Sequence, residues 1–287
     1  MKKIKIMVDT SADMPKELME KYDIGLINFM VTFGDESFVA GEEMTNEQFY
    51  ARIRETGVHP KTAQTPYQAM YDKLLAESEV CETLIYFTIS SKASGQNHTA
   101  HLALKEIKEE NPDADIRIVD TGRFSLYIAG AAVLAAQLAE KGKTPEEIIE
   151  EAMKYMAERE VYLVVDDLNY LQKGGRITKA TAIVGSLLDI KPVMNITDGL
   201  IAPVAKLRGK KKICRKLIEM IKETPSFRSE NPEFMVVHSN EDYGNEMTAA
   251  LEEEFGKGVI YMKNEFGPII GTHTGPGALA VLFAIKE

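Results

Sequence analysis

The chain has 287 residues, 45% of them hydrophobic, enough for two domains with substantial cores. Its 44 acidic and 34 basic residues leave a net charge of −10, which argues against nucleic acid and anionic membrane surfaces as partners, since both require clustered cations. Cys81 and Cys214 lie far apart and supply no disulfide framework or zinc spacing, and the longest apolar stretch, 128–139, is shorter than the ~20 residues a membrane span needs, so a cytoplasmic chain without stable membrane insertion is expected.

Residues 3–8 alternate and predict a first strand, since Met1-Lys-Lys-Ile-Lys is too short and charged for a secretion signal. Residues 15–22 predict a short helix with Pro15 near its first turn. Residues 24–33 are β-rich, and 46–55 and 67–77 are helical. Residues 84–89 form a strand that leads through Lys92-Ala-Ser94-Gly95 into a helical run from Gln96. A short strand at 116–119 precedes a helix over 124–140 that is apolar nearly all round, as a deeply buried helix is. Thr144-Pro-Glu-Glu opens another helix, reaching about residue 159, with Thr144 as N-cap and acids in the first turn. This alternation predicts a mostly parallel sheet with helices on both faces, a three-layer α/β domain.

The second half reads differently. Residues 161–166 predict a strand, Lys173-Gly-Gly-Arg-Ile-Thr a glycine-rich loop, and 182–188 a short helix. Strands at 190–197 and 200–207 flank Asp198-Gly199, a strong hairpin signal. An amphipathic helix at 210–222, a strand at 234–238, a helix at 245–255 and a strand at 259–263 follow. Glycine-rich turns lead to a last strand at 278–285. Hairpins mixed with helices predict an α+β domain with a mixed or antiparallel sheet. The boundary falls near Glu158, giving domains 1–158 and 159–287.

Ser94-Gly95 sits where a strand passes into a helix. Serine is a favoured N-cap, glycine admits close approach, and the first helical turn offers N–H groups and a dipole end suited to an anion. The alternative is an ordinary helix cap. No Walker-type phosphate loop occurs, and Gly275-Pro-Gly277-Ala-Leu-Ala280 lies too near the C-terminus to serve as a dinucleotide fingerprint, so no cofactor is expected. His98 and His101 stand i,i+3 on the helix after Ser94, without further ligands for a metal, and are expected on its solvated face. Four polar, turn-rich segments bring two hydroxyls, Thr62 and Ser94, a guanidinium, Arg176, and an imidazole, His273. These are the parts for holding one anionic head group. Asp9, Asp120 and Asp166 end strands, as acids or bases or as caps and turn formers. A nucleophile–base pair at recognisable spacing is missing, so no catalytic residue is assigned.

Several ordered segments carry a specific resemblance. They are Asp9-Thr-Ser-Ala-Asp, Thr62-Ala-Gln-Thr-Pro, Ser90-Ser-Lys-Ala-Ser-Gly and Asp120-Thr-Gly-Arg-Phe-Ser in the first half. In the second half they are Tyr170-Leu-Gln-Lys-Gly-Gly-Arg-Ile, Lys191-Pro-Val, Lys206-Leu-Arg-Gly-Lys-Lys-Lys and Gly267-Pro-Ile-Ile-Gly-Thr-His-Thr-Gly-Pro-Gly. The set resembles the DegV family of fatty-acid-binding proteins and spans nearly the whole chain. The resemblance implies two α/β domains with a long-chain fatty acid, such as palmitate, stearate or oleate, in an apolar tunnel between them. It implies a carboxylate held by Thr62, Ser94 and Gly95, with Arg176 and His273 close by. It also implies a separate ATP-dependent kinase subunit, related to dihydroxyacetone kinases, that phosphorylates the bound carboxylate for phospholipid synthesis. The basic run Arg208, Lys210, Lys211 and Lys212 is then the expected docking patch for that subunit; the alternative is a solvated helix face. Where the family often has Thr-Tyr after Ser-Gly and Ser after the first Thr, this chain has Gln96-Asn97 and Ala63. A different reading of the residues alone is a stand-alone enzyme for a small phosphorylated or carboxylated metabolite.

Overall fold

The computed structural model describes residues 2–178, 190–209 and 212–286, so the helix expected at 182–188 lies outside the described residues. The chain divides into two units, Met1–Met156 with Gly267–Ile269, and Ala157–Phe266 with Ile270–Glu287.

In the first unit β1 (Lys2–Asp9) leads through a 3-10 turn to α1 (Lys16–Lys21) and β2 (Gly25–Ile27). Strands β3 (Met30–Phe33) and β4 (Glu36–Val39), helix α2 (Asn46–Thr56), β5 (Lys61–Ala63) and α3 (Tyr67–Ser78) follow. Then come β6 (Cys81–Thr88), α4 (Gln96–Glu110), β7 (Asp115–Asp120), α5 (Leu126–Glu140) and α6 (Pro145–Ala157). The main sheet has the order β2-β1-β6-β7, all parallel. Alternation along β6 sends Leu84 and Tyr86 toward Met70 and Leu74 of α3 and Ala100, Ala103 and Ile107 of α4. Ile85 and Phe87 are fully buried on the opposite face, and α5 packs along β1 and β6 outside the α3–α4 cluster. The layers follow from this two-sided burial, as a parallel sheet requires.

The β-rich stretch 24–33 is two strands, not one. β2 joins the parallel sheet, while β3 turns away into an antiparallel sheet of order β4-β3-β5. Side chains take up backbone groups at the break. Phe29 N–H donates to Thr10 Oγ1 (3.1 Å), and Thr65 Oγ1 donates to the Asn28 carbonyl (2.8 Å). β4 and β5 escape a periodicity reading because they are short and half-exposed.

α5 begins at Leu126 rather than 124, since Ser125 takes a positive φ of 54° and its N–H donates to the Ser11 carbonyl (2.9 Å). Thr144 caps α6 as the sequence predicts. Its hydroxyl accepts from Glu147 N–H (3.3 Å), and the Glu147 carboxylate accepts from Thr144 N–H (2.9 Å). Thr144→Ala is expected to cost about 1 kcal/mol, read as a lower unfolding midpoint of this unit.

The second unit contains β8 (Arg159–Val164), α7 (Leu168–Gly174), β9 (Ile190–Thr197) and β10 (Leu200–Arg208). After these come α8 (Ile213–Glu223), β11 (Phe234–His238) and α9 (Glu241–Phe255). The chain closes with β12 (Ile260–Glu265), α10 (Pro268–Thr274) and β13 (Leu279–Ala284). The sheet order is β10-β9-β8-β13-β11-β12, antiparallel except for the β11–β12 pair. Asp198 (φ 52°) and Gly199 (φ 72°) make the expected β9–β10 hairpin. Leu217 and Ile221 of α8 and Met247 and Leu251 of α9 join Phe234, Phe283 and Tyr162 in one core, where Phe234 and Phe255 rings stand 5.0 Å apart.

Two expected loops are helices. Lys173 and Gly174 end α7, which Asp167 caps by accepting from Asn169 N–H (2.9 Å). Gly175 (φ 66°) terminates it in the left-handed conformation, its N–H reaching the Leu171 and Gln172 carbonyls. The glycines that read as a loop are thus a helix end. The glycine-rich stretch before β13 likewise holds α10. α9 starts four residues earlier than expected because Asn240 caps it, accepting from Tyr243 N–H (3.2 Å).

Candidate functional site

In the first unit the Ser94 turn follows the carboxyl end of β6, the end of the strands at which open α/β sheets place ligands. Ser94 is not the N-cap of α4. That position belongs to Gly95, which has no side chain to cap with. A tight turn moves the cap by one residue: Ser94 N–H donates to the Ser90 carbonyl (3.2 Å), and the half-buried Ser94 hydroxyl accepts from Gln96 N–H (3.2 Å). Gly95 meets its expectation of close approach, because a Cβ there would run into the Gln64 side-chain oxygen. Gln64 also donates to Thr99 Oγ1. His98 and His101 are both exposed on α4, as expected.

Thr62 is half-buried in β5, opposite Val31 of β3. The segment it belongs to is tied to the Ser94 turn. Gln96, fully buried, accepts from Thr65 N–H (3.0 Å) and donates to Thr65 Oγ1 (2.9 Å) and the Tyr86 hydroxyl (2.9 Å). Tyr86 in turn donates to Asp9 Oδ2 (3.2 Å), which also accepts from Ile89 N–H (3.2 Å). Asp9 accepts from Ser11 N–H as well (3.0 Å) and caps the turn after β1. Burial raises its pKa to about 6, against the pull of these donors. Asp120 is a turn former, accepting from Ser91 N–H (3.0 Å) and Gly122 N–H (3.1 Å).

In the second unit Arg176 and His273 come together around Gly174. The Arg176 guanidinium donates to the Gly174 carbonyl, and a Cβ on Gly174 would collide with the His273 ring. Both side chains are half-buried. Lys191 of β9 pairs with Asp166 at the end of β8, with Nζ 3.0 Å from Oδ1 and 3.0 Å from the Asp166 carbonyl. Ser239 Oγ ties the last turn by accepting from Gly277 N–H (2.8 Å) and Ala278 N–H (2.7 Å). That turn enters β13, a strand, so it lacks the helix a dinucleotide fold needs after its glycines. Cys214 is buried, and that burial, then Glu246, pushes its thiol up to about 12; burial likewise raises Cys81. Neither thiol is poised as a nucleophile.

Similarity to known proteins follows the fold. The family model for "Uncharacterised protein, DegV family" matches residues 3–286. The chain belongs to the DegV family. A fatty acid-binding protein of Thermotoga maritima is 34% identical over 99% of both chains. A DegV domain-containing protein of Clostridium acetobutylicum is 32% identical over 99% of this chain and 98% of the other. The crystal structure of DegV, a fatty acid binding protein from Bacillus subtilis, matches with TM-score 0.85 at 29% identity over 100% of both chains. These likenesses carry the two-part α/β architecture, with a parallel sheet in one half and a mixed sheet in the other.

Of the basic run, Arg208 ends β10 and is exposed, and its carbonyl accepts from Lys216 Nζ. Lys212 is exposed at the N-cap of α8, while Lys210 and Lys211 lie outside the described residues. No helix among the described residues is long and apolar enough to cross a membrane. Sequence reasoning missed the buried amide network of Gln96. Its partners stand 10 and 31 residues away, beyond any local pattern, and a glutamine opening a helix reads as a solvated position.

Proposed function

We propose that this DegV family protein is a non-catalytic carrier that binds a long-chain fatty acid, such as palmitate, stearate or oleate, in an apolar tunnel. Thr62, Ser94 and Gly95 of domain 1–158 and Arg176 and His273 of domain 159–287 receive the carboxylate. A separate cytoplasmic kinase subunit of the dihydroxyacetone-kinase type docks on Arg208, Lys210, Lys211 and Lys212. It transfers the γ-phosphoryl group of ATP to a carboxylate oxygen, leaving ADP and an acyl phosphate for phospholipid synthesis. The observation that carries the reading is near-complete alignment with a relative named as a fatty acid-binding protein.

Physical chemistry supports it. Each buried methylene contributes ~0.8 kcal/mol, so a sixteen-carbon chain gains on the order of 12 kcal/mol before association costs. A buried carboxylate without partners forfeits much of that gain, which is why hydroxyls, N–H groups and a guanidinium would gather at one end.

Mass spectrometry of an organic extract from the denatured, purified protein tests the reading. A near-stoichiometric long-chain fatty acid is expected; a clean extract with no uptake of added palmitate would sink it. In a kinase-coupled assay, Ser94→Ala is expected to lower acyl phosphate formation roughly tenfold, since one charge-assisted hydrogen bond is removed, while loss of the acceptor for Gln96 N–H costs about 1 kcal/mol of stability and leaves the protein folded. Unaltered turnover would remove Ser94 from the head-group set.

A further inference from the structure

Resting on the fatty acid reading, we infer that Gln96 is a positioning residue for the head-group site, setting the spacing between the Thr62 segment and Ser94. The placement of its three hydrogen-bonding groups assigns this role. Its backbone N–H holds the Ser94 hydroxyl (3.2 Å), while its side-chain amide holds Thr65, three residues beyond Thr62 (3.0 and 2.9 Å). One residue therefore grips both segments that carry the candidate hydroxyls.

The amide has a single workable orientation. Thr65 N–H only donates, so Oε1 must face it. Both Nε2 hydrogens are then committed, one to Thr65 Oγ1 and one to Tyr86. Thr65 Oγ1 passes its own proton to the Asn28 carbonyl (2.8 Å), and Tyr86 passes its proton to Asp9 (3.2 Å). Gln96, Tyr86 and Asp9 are 0% exposed and Thr65 is 3% exposed, so water cannot replace a broken link without opening the core. Gln64 reaches the other way, over Gly95 to Thr99, but it is exposed and cannot lock the geometry alone. The chain thus uses Gln96, where the related pattern often has threonine, to fix a short strand only three residues long.

The test is Gln96→Met, which keeps length and bulk but removes every side-chain hydrogen bond, in the full-length protein. Displacement of a fluorescent fatty acid by palmitate and by methyl palmitate is the readout. The variant is expected to bind palmitate roughly tenfold more weakly, as loss of a buried hydrogen-bonded link implies, and methyl palmitate as wild type does. A purely structural defect would weaken both ligands alike and overturn the inference. In a Ser94→Ala background the substitution is expected to add less than it does alone, because the two act through one contact; full additivity counts against it. Thr65→Val removes the hydroxyl's links to Gln96 and to the Asn28 carbonyl but keeps the Thr65 N–H bond to Gln96, and so approaches the same contact from the other side; a loss confined to palmitate is expected. Hydrogen exchange at the Thr65 amide decides independently of ligand: faster exchange in Gln96→Met supports the grip, and unchanged protection refutes it. Wild-type protein that takes up neither palmitate nor its ester would refute the fatty acid reading itself, and this role with it.

Discussion

Arg176→Ala is expected to weaken palmitate binding by about a hundredfold while leaving methyl palmitate binding and the unfolding midpoint nearly unchanged. Removing one partner of a desolvated charge pair costs about 2–5 kcal/mol, because the other charge is left buried and unpaired, and each 1.4 kcal/mol is tenfold in affinity. The protein itself loses little, since the guanidinium is half-buried and its hydrogen bond to Gly174 closes a local turn. Arg176→Lys keeps the charge but not the planar fork, and should recover only part of the loss. Equal affinity for palmitate in wild type and Arg176→Ala, by displacement titration, would take Arg176 out of the site.

The neighbourhood of Arg176 also marks where the sequence could and could not be read. Lys173-Gly-Gly-Arg looks like a loop because two adjacent glycines disfavour helix. Both have other reasons to be there. Gly174 makes room for His273, and Gly175 takes the left-handed turn that ends α7. The first reason is a contact between residues almost a hundred positions apart and leaves no local trace. The second was visible, together with Asp167 as a cap, to a reader looking for helix ends. Where a signal is local the sequence was legible: Thr144 with Glu147, Asp198-Gly199, and the apolar run of α5 are all found as expected.

The candidate site divides in the same way. Its residue types were readable, and the ordered motifs placed Thr62, Ser94, Arg176 and His273 in one family pattern. The tie between Thr65, in the segment that carries Thr62, and Gln96 was not readable, because it depends on an amide 31 residues from its partner. The shift of the helix cap from Ser94 to Gly95 follows instead from the tight turn in which Ser94 N–H donates to the Ser90 carbonyl.

Asp9→Asn is expected to change the pH dependence of stability by about 3 kcal/mol. The Asp9 carboxyl titrates at about 6 in the folded chain against 3.8 for an ordinary aspartate, chiefly because burial disfavours the charge. At 1.36 kcal/mol per pKa unit this difference gives about 3 kcal/mol. The sign follows from proton binding. Between these two pKa values the folded state holds a proton that the unfolded state has released, so the contribution is fully present below pH 3.8 and is lost as pH rises through 6. Asparagine cannot ionise, so its stability relative to wild type should improve by about 3 kcal/mol from pH 3.5 to pH 7. His238 acts in the opposite sense: burial lowers its pKa, so its contribution is lost as pH falls below its usual 6.5. Because both proteins carry His238, its effect cancels in the comparison. Urea denaturation of the two proteins across this range, followed by hydrogen exchange in β1 and β6, measures the difference. Parallel stability curves would mean that the donors around Asp9 (the Ser11 N–H and hydroxyl, Ile89 N–H and the Tyr86 hydroxyl) offset its burial and that its carboxyl titrates alike in the folded and unfolded chain.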